Sequence, residues 1–157
     1  MASVDMVHTT RGKFLFYNVD AAVGAGCPNQ RLDVLLVQYL LKESNKTPGY
    51  VEVQVGAGFT QDAMQISGTW DQYWGGYLSN FENTLQRRGR SIRKDGRIDP
   101  LVGGEVFGPI HHEAYAILWL NRGYLQLRPS DYPRMSEAAD CPPELRPALK
   151  VQFLQPL

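Results

Sequence analysis

Cysteine is scarce in this sequence, and no net charge is present. Cys27 and Cys141 lie far apart and form no CxxC pair, so we expect two unrelated reduced thiols. A bridge between them would add about 4–5 kcal/mol in the chain-entropy model, but nothing in the sequence places them close together. The 16 basic residues balance 16 acidic ones. We therefore expect no nucleic-acid partner, because such binding would need a local basic patch.

Long hydrophobic segments are also absent. The longest nearly continuous apolar run, residues 34–41, is broken by Gln38 and is too short to span a bilayer. The first residues show no basic region followed by an apolar stretch, so they do not predict a secretory signal peptide. We expect a product that is cytoplasmic as synthesised and has no membrane partner, unless an upstream segment is removed.

The residues that are present suffice for one ordinary folded domain. With 157 residues, 43% of them hydrophobic, the chain can bury about 70% of its unfolded surface without a metal or disulfides. We expect a single domain over residues 1–157, mainly α with a small β component and without a cofactor. Its core covers about residues 23–121, and residues 122–157 form an irregular, proline-rich C-terminal extension.

Hydrophobic periodicity predicts three helices. They cover residues 30–43, about 71–87 and about 110–121. Asn29 is a candidate N-cap for the first, Thr69 is one for the second, and Gly123 is the natural end of the third. Gln38 lies on the apolar face of the first helix, where it needs hydrogen-bond partners. The glycine pair 75–76 in the second helix costs about 2 kcal/mol, which favours a kink or close packing there.

Short strands accompany these helices. The aromatic run within residues 13–19 predicts one strand. Val51, Val53 and Val55 alternate with polar residues and predict a half-buried second strand, a candidate partner for the first. In the proline-rich tail, only residues 136–140 suggest a short helical stretch.

Three motifs share an order and a spacing that are informative together. A glycine-rich stretch at residues 23–29 precedes the pattern DV..VQ.LL at residues 33–41, the turn ISGTW occupies residues 66–70, and residues 95–100 read DGRIDP. In this order they resemble the peptidoglycan-binding-like domain family, in the form found with bacterial type VI secretion and contractile injection machinery. The resemblance implies a three-helix core with a groove that holds cell-wall glycan or stem peptide.

The chain also departs from the family pattern. Phe81 stands where the family has the aromatic residue of an FQ pair, but Glu82 replaces the glutamine. Extra residues are inserted at 48–64 and at 101–108, on either side of the second helix and its turn. Both inserts would change the groove. In the turn itself, an aspartate followed by glycine is typical of a structural bend, and we expect residues 95–100 to brace the second and third helices.

Catalytic and metal chemistry find little support. No GxSxG motif occurs, and neither cysteine has a catalytic context. Asp95 and Asp99 would suit an acid–base pair, but turn-forming aspartates are far commoner. The run at residues 111–113 (HHE) lacks the i, i+4 spacing that a helical zinc site needs. We expect no enzyme, no catalytic residues and no metal site.

Aromatic side chains are the better candidates for ligand binding. Sugar rings present apolar faces to aromatic side chains, and ligand sites combine such surfaces with a few polar groups. Among the aromatic residues at helical spacing, Trp74, Tyr77 and Phe81 fit a core position, whereas Tyr73 lies off the main stripe. The basic residues within 87–94 would suit a carboxylate-bearing peptide or an acidic partner, although a solvated basic turn is the simpler interpretation.

Two hypotheses follow from the resemblance. In the first, the chain is a non-catalytic module associated with type VI secretion that recognises cell-wall glycan or stem peptide through Trp70, Tyr73, Asp95 and Arg97. A secretion system would then deliver it to the periplasm. In the second, the chain is a protein–protein adaptor, structural or effector-associated component of the secretion machinery that has lost glycan binding.

Overall fold

The computed structural model describes residues 2–9, 12–46, 64–92, 94–101, 115–132 and 134–150. Over these residues the chain forms three α-helices: α1 (Arg31–Ser44), α2 (Gln72–Arg87) and α3 (Ala116–Leu127). Its strands are β1 (Ser3–Thr9), β2 (Gly12–Asn18), β3 (Val23–Gly24) and β4 (Arg97–Ile98), which pair antiparallel as β1–β2 and β3–β4. This confirms a mainly helical chain with a small β component. No helix in these ranges has the length and hydropathy needed to cross a bilayer.

Helix α1 is the central element of the core. Its residues from 33 to 41 are all buried, as its wide apolar stripe predicts. The predicted cap, Asn29, is wrong: the N-cap is Gln30, without a side-chain bond. Asn29 instead takes a left-handed backbone conformation (φ 48°). There its amide bonds both the backbone N–H and the carbonyl of Gly24, at 2.9 and 2.8 Å.

Gln38 has the hydrogen-bond partners that its position on α1 requires. Its side chain is fully buried, and its Oε1 accepts from the backbone N–H groups of Ser67 and Gly68 at 3.0 and 2.9 Å. Its Nε2 donates to the carbonyl of Thr69 at 3.0 Å. One side chain thus ties the segment before α2 to the centre of the core.

Helix α2 starts close to the predicted position, but its N-cap is a different residue from the predicted one. Asp71 is the N-cap, because its Oδ1 accepts from the N–H groups of Tyr73 and Trp74 at 3.0 and 3.1 Å. Thr69, the predicted cap, lies two residues too early, where Gln38 already holds its carbonyl. An aspartate at this position satisfies two free N–H groups and complements the helix dipole. The helix then continues through Gly75 and Gly76 without interruption.

The N-terminal strands form a hairpin that the sequence only half predicts. Strand β2 falls within the predicted residues 13–19, but it pairs with β1, from Ser3 opposite Asn18 to Thr9 opposite Gly12. Strand β1 was not predicted, and the strand predicted at residues 51–55 lies outside the described residues. Asn121 of α3 anchors β2 by accepting from the Tyr17 N–H at 2.7 Å and donating to the Tyr17 carbonyl at 2.9 Å.

Helix α3 extends beyond its predicted end. Gly123 does not stop it, because the helix runs to Leu127 and Gly123 is a buried internal residue. Directly after this glycine, Tyr124 is fully buried and its ring lies 5.7 Å from that of Tyr39 on α1. Such packing offsets the cost of about 1 kcal/mol that glycine imposes inside a helix. The predicted start at residues 110–114 lies outside the described residues.

The C-terminal extension packs against the helices. Buried apolar residues occur along it at Met135, Leu145 and Leu149. A 3₁₀ turn at Met135–Glu137 overlaps the predicted helical stretch at residues 136–140. Both cysteines are free, in agreement with the sequence. The extension therefore completes the core that α1 and α3 begin.

Arg128 joins the extension to α1. Its Nη1 lies 2.8 Å from a carboxylate oxygen of Asp140, and its Nε donates to Asp131 at 2.7 Å. The hydroxyl of Tyr39 donates to the same Asp140 carboxylate at 2.7 Å. Burial raises the pKa of Asp140, but the bonds from Arg128 and Tyr39 outweigh it and hold that pKa below its usual value. These side chains thus form a charged, hydrogen-bonded cluster between α1 and the C-terminal extension.

Replacing Gln38 with methionine tests how strongly the loop before α2 depends on it. Gln38→Met keeps the volume but leaves the N–H groups of Ser67 and Gly68 without their acceptor, so we expect a loss of about 2–4 kcal/mol in the free energy of unfolding. Urea denaturation measures this loss. Gln72→Met, at an exposed position of α2, is the control and should change stability by less than about 0.5 kcal/mol. Equal effects of the two changes would contradict the assignment.

Candidate functional site

A polar groove runs along the outer face of α2. Its volume is about 480 Å³. The α2 residues that line it are Gly76, Ser79, Asn80, Asn83, Gln86 and Arg87. Lys94, from the segment after the helix, completes the lining. Residues three, four and seven apart share one face of a helix, so the groove follows the side of α2 opposite its core residues. We call it the α2 groove.

The side chains of the α2 groove favour a polar ligand that is not cationic. Its three amide side chains, Asn80, Asn83 and Gln86, each offer both donors and acceptors. Arg87 and Lys94 are pure donors that carry positive charge. None of the residues described as lining the groove is acidic. Gly76 adds no side chain, which leaves room at the N-terminal part of the face.

Tyr73 stands at the N-terminal end of the α2 groove. Its side chain is 65% exposed, and it precedes Gly76 by three residues and Asn80 by seven, so all three share one face of α2. Trp70, just before the helix, is half-buried, and its ring lies 6.3 Å from that of Trp74. The exposed ring of Tyr73 is therefore an aromatic surface on the face of the groove, one turn before its first lining residue, Gly76.

The predicted core aromatics of α2 are confirmed. Trp74, Tyr77 and Phe81 are all buried, and the rings of Trp74 and Tyr77 meet edge to face with centroids 5.3 Å apart. Burial raises the pKa of Tyr77, and the charge of Asp71 adds to that shift. These three residues form the inner face of α2 and are not available to a ligand in the groove.

The other predicted ligand residues, Asp95 and Arg97, belong to the turn that contains β4. Asp95 Oδ1 accepts from the Arg97 N–H at 3.2 Å, and Arg97 Nε donates to Asp99 Oδ1 at 2.9 Å. Lys94, which lines the groove, directly precedes this turn. The turn meets α2 at Glu82, nine residues after Tyr73 and about 14 Å further along the helix axis. The four predicted residues therefore fall into two separate pairs, one at the start of α2 and one in a turn that contacts α2 at Glu82.

Close backbone contact holds the turn in place. Strand β4 pairs with β3, with Gly24 opposite Arg97. Gly24 has a φ of 148°, and a Cβ there would lie 2.8 Å from the carbonyl oxygen of Gly96, so only glycine fits. The bonds of this turn join it to α2, one of the two helices of the expected brace, and to β3.

Glu82 is the residue of α2 that contacts the turn, and its carboxyl group is buried with incomplete hydrogen bonding. Its Oε2 accepts from the Gly96 N–H at 3.3 Å, while its Oε1 has no hydrogen-bond partner among the described residues. Burial raises its pKa from 4.5 to about 7. The nearby charge of Asp95 raises the pKa further, and the Gly96 N–H and Lys94 oppose the shift. The carboxylate stands where the family resemblance has a neutral glutamine.

Sequence reasoning missed most of the α2 groove. Arg87 and Lys94 had been assigned to a basic turn, and Ser79, Asn80 and Asn83 had been given no role. A signal was present, because polar residues recur at helical spacing with three amides and no acidic side chain among them. The same pattern is also typical of an ordinary solvated helix face, and only the position of Lys94 beside it makes a groove.

A metal site has no candidate in the described part of the chain. Among those residues, no group of three or more histidine, cysteine, aspartate or glutamate side chains is arranged to hold an ion. The HHE run at residues 111–113 lies outside them. Asp95 and Asp99, the candidate acid–base pair, bond to the backbone and side chain of Arg97 within their own turn.

Glu82 makes a testable contribution to the dependence of stability on pH. The unfolded chain loses this proton near pH 4.5, whereas the folded chain keeps it until about pH 7. Between these values the folded state binds more protons, so the contribution of Glu82 to stability falls as the pH rises. We expect Glu82→Gln to raise the free energy of unfolding by about 1–3 kcal/mol near pH 8, with little change near pH 4.5. Denaturant titrations across this range measure the difference.

Glu144→Gln is the control for this experiment. Glu144 is exposed and pairs with Arg31 at 2.6 Å, and the Arg31 hydrogen bond lowers its pKa. Its replacement should leave stability unchanged or slightly lower above about pH 5, opposite in sign to the effect at Glu82. A Glu82→Gln variant that is no more stable than the parent near pH 8 would show that the buried carboxylate is not strained.

Comparisons of the chain with protein families, with characterised proteins and with solved structures find no match. The resemblance to peptidoglycan-binding-like domains therefore stays a prediction from residues 33–41, 66–70 and 95–100.

Proposed function

We propose that this protein is a non-catalytic binding module, resembling peptidoglycan-binding-like domains and associated with a bacterial type VI secretion system. Its ligand is cell-wall glycan or stem peptide. The observation that carries the proposal is the α2 groove, an open groove of about 480 Å³ lined by polar residues, with the exposed side chain of Tyr73 one helical turn before Gly76.

The chemistry of the groove supports a saccharide or peptide ligand. Hydroxyl and acetamido groups need both donors and acceptors, which the amides of Asn80, Asn83 and Gln86 supply. An apolar sugar face can pack on the exposed ring of Tyr73, because aromatic rings offer a large, rigid apolar surface. Asp95 and Arg97 border the site beyond Lys94, and their bonds within the turn support a positioning role there.

The cellular setting rests on the family resemblance. The DGRIDP turn and the pattern before it resemble domains found with contractile injection machinery. In this proposal the protein is made in the cytoplasm, and the secretion system carries it to the periplasm, where peptidoglycan lies. The contacts of Asp95 and Asp99 within their turn favour binding over acid–base catalysis, because both carboxylates are already engaged.

A protein-binding role is the second candidate. The exposed Tyr73 lies three residues after the half-buried Trp70, and exposed arginines, Arg88 and Arg90, follow α2. Tyrosine, tryptophan and arginine are the residues that most often dominate binding energy at protein interfaces. The same surface would therefore suit an adaptor or effector-associated component of the secretion machinery that does not bind glycan.

Sedimentation with purified sacculi tests the proposed function. The parent protein should pellet with sacculi, and Tyr73→Ala should weaken its apparent affinity about 3- to 10-fold because one aromatic contact is lost. Asn83→Ala should also weaken binding. Leu125→Ala is the matched control, since Leu125 is another exposed apolar side chain (40%) but lies on α3, and it should pellet like the parent.

The same variants separate the two candidate functions. If the folded parent stays in the supernatant, and Trp70→Ala and Tyr73→Ala change nothing, glycan binding is excluded. Co-purification of a secretion component that Tyr73→Ala abolishes would then support the adaptor. Circular dichroism of Trp70→Ala is needed beside these assays, because Trp70 also packs against Trp74.

A further inference from the structure

The α2 groove carries two positive charges and, among its described lining residues, no negative one. Arg87 belongs to the last turn of α2, and its side chain leans back along the groove because helical side chains lean towards the N-terminus. Lys94 adjoins the turn that contacts α2 at Glu82. Both cationic groups therefore lie beside the amide side chains that line the groove.

We infer that the α2 groove holds a carboxylate of its ligand at Lys94, and so prefers acidic glycan–peptide fragments over neutral glycans. This inference rests on the proposed function, because it concerns the same groove. Lys94 offers a charged donor that suits a carboxylate, while the amides in the middle suit neutral amide and hydroxyl groups. The preference belongs to the charge of Lys94, and stacking on Tyr73 contributes equally to charged and neutral ligands.

The segment around Lys94 is basic. Residues 87–94 (RRGRSIRK) carry basic side chains at five positions and acidic ones at none. Glu82 interacts electrostatically with both Lys94 and Asp95. Glu82 lies buried beneath the turn with a pKa of about 7, so near neutral pH it carries only part of a negative charge. The Asp95 carboxylate accepts from the Arg97 N–H within its own turn.

Calorimetric titration of the full chain with two defined probes tests the inference. One probe is a soluble disaccharide–tetrapeptide from peptidoglycan, which bears carboxylates, and the other is neutral tetra-N-acetylchitotetraose. At about 50 mM salt the acidic probe should bind at least about 10-fold more tightly, and the preference should shrink at about 500 mM salt because exposed charges are screened.

Variants of Lys94 assign the preference to its side chain. Lys94→Gln should weaken binding of the acidic probe about 5- to 10-fold and leave the neutral probe unchanged. Lys94→Arg keeps the charge and should keep the preference. Lys150→Gln removes an exposed lysine that does not line the groove, and it should behave like the parent.

Each other outcome overturns a different claim. Equal binding of both probes overturns the inference and leaves the proposed function standing. A preference for the acidic probe that Lys94→Gln does not reduce also overturns it, since the charge responsible would lie elsewhere. If the folded protein binds neither probe, the proposed function and the inference fail together.

Discussion

The amide of Gln38 is the polar contact on which the position of α2 depends. A buried amide is tolerated only when it is hydrogen-bonded, and here its partners are the backbone groups of Ser67, Gly68 and Thr69. Gly68 fits because it takes a φ of 80°, and a Cβ there would lie 2.5 Å from Nη1 of Arg31. The segment is thereby held against α1, Asp71 follows at the start of α2, and Tyr73 points outward from the first turn.

A second polar contact holds α2 near its other end. Glu82 reaches the N–H of Gly96, and the turn that contains Gly96 is paired with β3. The apolar residues of α2 face the core, and the amides that line the groove face outward. The α2 groove exists because Lys94, carried by the same turn, lies beside that outer face. The geometry of the candidate site is therefore set by contacts that a ligand need not touch.

Elements set by local periodicity could be predicted, and those set by contacts distant in sequence could not. The bounds of α1 and α2 follow from apolar spacing and agree with the structure to within one residue. The predictions of an N-cap at Asn29 and of a helix end at Gly123 are wrong. Asn29 instead bonds to Gly24, and the burial of Tyr124 favours a helix that continues past Gly123. Trp74 and Tyr77 were placed correctly in the core by spacing alone. The groove needs Lys94 beside Asn80 and Asn83, which no local pattern shows.

The hydrogen bonds between the C-terminal half and β2 affect how the chain folds during its synthesis. Tyr17 bonds to Asn121, 104 residues later, and its hydroxyl accepts from the N–H of Met135, 118 residues later. At a synthesis rate of roughly 5–20 residues per second, β2 waits about 6–24 s for these partners. During that interval the N-terminal hairpin has no finished core to enter. The hairpin can therefore reach its final packing only after the chain has been made as far as Met135.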